Sequence, residues 1–341
     1  MNAEKYHYKI AAIGPALTDA LFHLDEEHYK NILVFLKVKA GDWIELKNVS
    51  DVYALFKLSG NKKESCMEDC FQAGSSLLGV LSAFPIELRK KSLLITSEGT
   101  SHERISQTAF SVFSKTVKAL SVEYITHKVN GANAIGMSFT SYNNPDRLLT
   151  MYKGISHDLK ISDKDVCAEY LLVDAYELNG GSISESIDRL IRSKKYKTVL
   201  SLGNSSILQG SLSQKLMTYL QNGLIYCLAG NKGEFECLFG DIDISRLSLL
   251  PFIVHVPYVL MTLGERGMIG KFHEKVYYQQ AIKTDNIIST SGCGDVSLGT
   301  FLSGIIYGLS PCVILEKAAY YASIILKRQS NVISEGIENL K

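Results

Sequence analysis

The chain has 341 residues, with 36 basic against 35 acidic side chains and a formal net charge of +1 at pH 7. That balance leaves no basic field for nucleic acid and no polybasic membrane anchor. A make-up of 46% hydrophobic and 21% charged residues excludes a chain that is disordered throughout, and the length fits one large α/β domain or such a core with a small appended subdomain.

The first ten residues, MNAEKYHYKI, begin polar and lead into only a short apolar run, Ile10 to Ile13. Neither a signal peptide nor a membrane span is expected, and a cytoplasmic location is the expectation. The seven cysteines are scattered, and Cys66 and Cys70 lack zinc-finger spacing, so reduced thiols are expected. Buried strands are predicted at Tyr8–Ile13, 93–96, 171–173, 198–202, 224–228 and 259–263, each a short apolar or β-branched run. Amphipathic segments lie between them. One opens with Ser182 and Glu185 at capping-box spacing and continues through Ile187, Leu190 and Ile191. Another runs from Leu298 through Phe301, Leu302, Ile305 and Leu309 along one helical face. Strand and helix in alternation predict a mostly parallel sheet covered on both faces.

Two stretches break the rhythm. Residues 17–49 show no long helical periodicity and hold the only tryptophan, Trp43. Residues 122–129 and 134–142 flank Asn130-Gly131, a hairpin signal. The expectation is a β-rich lid of residues 17–49 and 121–149, set into an α/β core of residues 1–16, 50–120 and 150–341. A flap of that kind beside a sheet-edge cleft can close over a ligand and exclude water.

The stretch richest in chemistry is Ser289-Thr290-Ser291-Gly292-Cys293-Gly294-Asp295, which enters the 298–309 helix. Glycines at a strand-to-helix junction turn backbone amides toward a ligand, and a helix N-terminus favours negative charge. An aspartate in that first turn can take a proton from an incoming hydroxyl, while the amides of Gly292, Cys293 and Gly294 receive developing phosphoryl charge. Taken alone, the pattern favours an ordinary glycine-entered helix with an acidic first turn.

Motif order decides between those two readings. The segment resembles the G-A-G-D signature of the ribokinase-like (PfkB-type) carbohydrate and nucleoside kinases, with Cys293 at the alanine's place. Asn231-Lys232-Gly233-Glu234 resembles the family's N-x-x-E motif, Thr262-Leu263-Gly264-Glu265-Arg266-Gly267 its T-x-G-x-x-G turn, and Gly14 with Asp19 its first strand and substrate aspartate. The tail AYYASIILKR is similar to the last helix of the adenosine-kinase branch, which flanks the adenine pocket. The resemblance implies a three-layer α/β fold with a small β lid, and an ATP- and magnesium-dependent kinase acting on a hydroxymethyl group of a nucleoside or sugar. It implies Asp295 as base and Gly292, Cys293 and Gly294 as anion hole. Thr262, Gly264, Gly267 and Asn231 would meet the nucleotide, and Asn231 with Glu234 would order magnesium through water. Asp19, Gly74 and Ser75 would meet the acceptor, and the family's state is a monomer or a lid-mediated homodimer.

The chain also departs from the family. Leu78 stands where the family has a substrate-binding asparagine, and Ser289 replaces an aspartate associated with a monovalent-cation site. The G-x-x-G-x-D stretch is not recognisable in SEGTSHERIS. Two other expectations therefore stand beside a nucleoside kinase: a kinase for a ribose-like sugar, and a non-catalytic binding protein on the same fold. The GERGMIGK stretch fails as a phosphate loop, because its spacing is wrong and Phe272 follows its lysine.

Overall fold

The computed structural model describes residues 7–40, 42–60, 67–141, 148–242, 253–328 and 332–333. Cys66 and Tyr142, each part of an expectation above, lie outside the described residues. Its strands are β1 (Tyr8–Ile13), β2 (Thr18–Leu24), β3 (Trp43–Leu46), β4 (Phe71–Ala73), β5 (Ser92–Gly99), β6 (Glu123–Val129), β7 (Ile135–Ser141), β8 (Leu148–Tyr152), β9 (Ala168–Asp174), β10 (Lys197–Ser201), β11 (Cys227–Asn231), β12 (Tyr258–Thr262), β13 (Met268–Phe272) and β14 (Lys275–Gln279). Its helices are α1 (Glu26–Leu36), α2 (Val49–Leu58), α3 (Met67–Cys70), α4 (Ser76–Ser82), α5 (Ile86–Arg89), α6 (Arg104–Ala119), α7 (Gly181–Arg192), α8 (Gly210–Gln221), α9 (Lys232–Phe239), α10 (Cys293–Tyr307) and α11 (Pro311–Ile325).

A nine-stranded sheet runs in the order β14-β13-β12-β11-β10-β9-β1-β5-β6, parallel except at β13 and β14. Both faces are dry across the central strands β1, β5 and β9–β12, which explains why these read as continuous apolar runs rather than alternations, while the edge strands β6 and β14 are half-buried to exposed. In β1, Ala11 and Ile13 enter the core that includes Ile183, Ile187 and Leu190 of α7 and Leu212 and Leu216 of α8. Ile10 and Ala12 enter the opposite core, with Leu77 and Leu81 of α4, Phe301 of α10 and Ala318 of α11. The result is a three-layer α/β fold. The strand order reverses at β1, whose neighbours are β5 on one side and β9 on the other. In open parallel sheets, the carboxyl ends of strands beside such a reversal are where ligands collect.

A second sheet, ordered β3-β8-β7-β2-β4, carries Ala20, Phe22, Ile135 and Phe139 into a separate core with α1, α2 and Ala109 of α6. Several sequence expectations are corrected here. The 122–129 and 134–142 segments form no hairpin: β6 pairs parallel with β5 in the large sheet, whereas β7 pairs with β2 and β8 in the small one. Asn130-Gly131 marks a crossing between sheets, with Gly131 at φ +132°. Strand β4, within the stretch assigned to the core, pairs antiparallel with β2. Residues 17–49 do contain a helix, α1, capped by the Asp25 side chain on the His28 amide. Finally, α7 is not opened by a capping box, because its N-cap is Gly180 at φ +100° and Ser182 lies inside the helix.

Candidate active site

A cavity of about 1180 Å³ opens at the carboxyl ends of β10, β11 and β12, roofed by the entry of α10 and one face of α11. Each wall follows from a local rule. Strand β11 ends at Asn231, which N-caps α9: Asn231 Oδ1 accepts the Glu234 amide at 3.0 Å, and Glu234 Oε2 accepts the Asn231 amide at 2.8 Å. The reciprocal pair satisfies two free helix amides and fixes the Glu234 carboxylate at the cavity floor. Burial pushes that carboxyl up to about 7, against the pull of the Asn231 backbone amide.

The entry to α10 is set by Gly292, an N-cap in the left-handed region at φ +83°. A glycine cap has no side chain to bond the first-turn amides, which can therefore turn to an anion; the Cys293 amide makes one long bond, 3.5 Å, to the Thr290 carbonyl. No residue approaches where a Cβ on Gly294 would stand. The Cys293 thiol reaches the Ala322 carbonyl at 3.7 Å, and the side chain packs on the cluster of Ala83, Val296 and Ile325. Burial and the neighbouring Asp295 charge push its thiol up to about 11, which leaves it protonated and unreactive at neutral pH.

Asp295 stands in the first turn of α10 and accepts a hydrogen bond of 2.5 Å from the Ser76 hydroxyl at the head of α4. Burial raises its carboxyl to about 7; Ser76 opposes the rise, and the Asp174 and Glu234 charges add to it. Helices α4 and α10 come this close because Gly299 has no side chain, and a Cβ there would sit on the Val80 carbonyl and 2.7 Å from Ala83 Cβ.

The opposite wall comes from the β12–β13 turn and α11. Thr262 ends β12, and Gly264 and Gly267 make the turn at φ +62° and +102°. A Cβ on Gly267 would overlap the Gln279 carbonyl, so the close approach of β14 requires glycine. Ala319, Ala322 and Leu326, all in the tail segment likened to an adenine-flanking helix, line the same side with Ile282 and Ile287. Lys271 of the failed phosphate-loop pattern is buried and donates to the Val256 carbonyl at 2.6 Å.

The cavity thus unites Asp295, Gly292, Cys293, Gly294, Thr262, Gly264, Gly267, Asn231 and Glu234. Asp19, Gly74 and Ser75 are not in its lining. Asp19 lies between two glycines: a Cβ on Gly74 would stand 2.5 Å from one carboxylate oxygen, and a Cβ on Gly136 would strike the other. Gly74 is two residues from Ser76, so the Asp19 corner adjoins the cavity. Ser75 is almost fully buried and takes φ +79° just before α4, a strained backbone for a side chain. Leu78 is fully buried among the core residues under α4. The Ser289 hydroxyl accepts the Ser291 amide at 3.1 Å.

Three side chains escaped the sequence reading. Asp174, the last residue of β9, is 3% exposed; one carboxylate oxygen accepts the Tyr176 amide at 2.9 Å, and Oδ2 is buried without a hydrogen-bond partner. Burial raises it to about 6, against the Tyr176 amide and the Ser76 and Ser201 hydroxyls. Tyr176 lines the cavity with its phenol raised to about 12 by burial and by the nearby Asp174, Glu234 and Asp295 charges. Ser76 is the third. An aspartate closing the apolar run LLVD was the available signal for the first, since a charged residue at the carboxyl end of a buried strand belongs to the ligand edge.

Comparison with known proteins agrees with this geometry. The family model described as pfkB family carbohydrate kinase matches residues 113–335. A Mycoplasma genitalium protein, provisionally named 1-phosphofructokinase, is 26% identical over 124 residues, which span 36% of this chain and 41% of that protein. The crystal structure of a probable sugar kinase from Rhizobium etli superposes with a TM-score of 0.77 at 16% identity, covering 97% of each chain. Adenosine kinase from Sinorhizobium meliloti superposes with a TM-score of 0.74 at 17% identity, covering 98% of this chain and 97% of that one.

Proposed function

Because this chain belongs to the pfkB family of carbohydrate kinases, we propose that it is an ATP-dependent kinase that phosphorylates a hydroxymethyl group of a nucleoside or a sugar. The observation that carries the reading is the α10 entry, where a carboxylate with its pKa near neutrality stands in the first turn of a helix whose glycine N-cap supplies no side-chain bond to the amides there. The Asp295 carboxylate takes the proton as the acceptor O–H bond breaks. The acceptor oxygen bonds the γ-phosphorus, and the bond to the β-phosphate oxygen breaks with its electron pair leaving on ADP. The amides of Gly292, Cys293 and Gly294 face the transferred group and hold its charge as the bonds exchange. Thr262, Gly264 and Gly267 shape the triphosphate side, while Ala319, Ala322 and Leu326 give the base an apolar wall.

Among the described residues no three His, Cys, Asp or Glu side chains are grouped as metal ligands. Both Glu234 oxygens already accept from Asn231, through the backbone amide and through Nδ2 at 2.5 Å. Such oxygens fit a divalent cation that keeps its water shell, the habit of magnesium. Bound there, magnesium would neutralise phosphate charge.

Asp19, with Gly74 beside it, would hold acceptor hydroxyls, and the small sheet that carries Asp19 would act as the lid. Charge favours a neutral acceptor over a phosphorylated sugar. Asp174 and Glu234 face Asp295, and Glu177 faces Asp174 with Lys153 opposing it, whereas Arg266 and Lys283 of the cavity lining would stand with Glu265 and Asp285 on the nucleotide side. The test is ADP formation with magnesium across nucleosides, free sugars and phosphosugars, run beside Asp295→Asn. A positioned base is worth about a hundredfold or more in rate. Turnover with one neutral acceptor, lost in the variant, is the expected result; equal background in both proteins across the panel favours a binding protein on this fold.

A further inference from the structure

Ser76 has no part in the reading above and Asp174 enters it only as a charge, yet they meet at its centre. Ser76 is the first residue of α4, reached through the strained Ser75, and Gly299 presses that helix against α10. Its hydroxyl donates to Asp295 Oδ1 at 2.5 Å. The same hydroxyl lies beside Asp174, whose Oδ2 is buried and unpartnered. A serine hydroxyl has one proton to donate, so it can serve one of these carboxylates at a time.

We propose that Ser76 is the positioning residue of the base Asp295, committing its one hydroxyl proton to that carboxylate, and that the buried Asp174 is the opposing charge that tunes it. The inference rests on the reading of Asp295 as the base. Donation to Oδ1 does two things: it favours the ionised carboxylate, and it fixes the rotamer that leaves Oδ2 to receive the acceptor's proton. Asp174 acts in the opposite sense, since a negative charge at that place holds a proton on Asp295. Other groups face the pair too. Glu234 from α9 and Tyr176 from the turn after β9 face both carboxylates, Cys293 flanks Asp295 on α10, and Glu177 and the Ser201 hydroxyl face Asp174, with Lys153 opposing Glu177. Of these groups, Ser76 is the hydroxyl that donates to Asp295 and also lies beside Asp174.

The two residues therefore predict opposite shifts in one observable, the acidic limb of kcat/KM against pH. Ser76→Ala removes the donor and moves that limb to higher pH by about one unit; kcat falls about tenfold, with the KM for ATP unchanged. Asp174→Asn removes the charge and moves the limb to lower pH. Ser76→Thr keeps the hydroxyl and restores the parent profile, which a loss of packing alone would not explain. ATP binding and melting temperature are measured on each variant, and Asp174→Asn with Ser76→Thr carries the test if Ser76→Ala does not fold. An unmoved limb in Ser76→Ala, or both variants shifting the same way, overturns the proposal while Asp295→Asn stays inactive. Retained turnover in Asp295→Asn instead removes the base reading itself, so the two failures are told apart.

Discussion

Asp295→Asn should make this protein more stable while abolishing its chemistry. An aspartate ordinarily ionises near 3.8, and burial with like-charged neighbours raises Asp295 to about 7. Between those values the folded state holds a proton that the unfolded state has released, so stability falls as pH rises through the window and the whole loss is present above about 7. The gap corresponds to a ceiling of ~4 kcal/mol. The residue is partly open to the cavity, and its amide replacement keeps an oxygen for the Ser76 hydroxyl, so a gain of about 1–3 kcal/mol is expected at pH 8. At about 2–4 °C per kcal/mol in a protein of this order of size, the melting temperature should rise by several degrees. The gain should shrink at pH 5 and fade toward pH 4, where the parent carboxyl is protonated in both states. Thermal melts of the two proteins at a series of pH values measure this directly. A variant less stable at pH 8, or a difference independent of pH, refutes the account of Asp295 as an ionisable group forced into an unfavourable place.

Three more substitutions probe the framework. Gly299→Ala drives a methyl into the Val80 carbonyl, and overpacking of ~1–3 kcal/mol outweighs the helix propensity gained; the melt should fall and turnover with it, since Ser76 and Asp295 are pushed apart. Leu78→Asn, which restores the family's residue, should cost ~2–4 kcal/mol by placing an unpaired amide in the core and should leave acceptor affinity unimproved, read by denaturant titration and KM. Cys293→Ala should retain turnover within a few-fold, and the parent thiol should label slowly at pH 7 in a timed alkylation, because the anion cradle is backbone and the thiol stays protonated.

What the sequence exposed and what it hid divide along physical lines. The α10 entry, the Asn231–Glu234 pair and the β12 turn were legible because each is a local device whose residues lie within a few positions of one another. Helix α1 was hidden because Val34 and Phe35, both well exposed, follow Ile32 and Leu33 and blur the apolar stripe. The false hairpin arose because Asn130-Gly131 has turn chemistry whether the chain doubles back or passes to another sheet, and only the partners of β6 and β7 distinguish the two. Ser76 and Asp295 are 219 residues apart, and their contact depends on a helix packing that Gly299 permits. No spacing rule reaches across that distance.

The burial that raises Asp174, Glu234 and Asp295 also explains where they stand. Carboxylates crowded at the edge of a parallel sheet repel one another and lose hydration, an arrangement that costs stability unless something positive faces them. Among the described cavity-lining residues the cations Arg266 and Lys283 lie with Glu265 and Asp285 around the β12–β13 turn and the segment after β14, and dipoles serve the carboxylates: the Ser76 hydroxyl on Asp295 and the Asn231 amides on Glu234. Dipoles can steady a carboxylate without permanently neutralising it. A lysine at the same place would hold Asp295 ionised but too weakly basic to take a proton from an alcohol, and it would draw the acceptor side toward phosphorylated ligands. If Asp295 is the base proposed above, an acidic, dipole-compensated site around it suits a neutral alcohol.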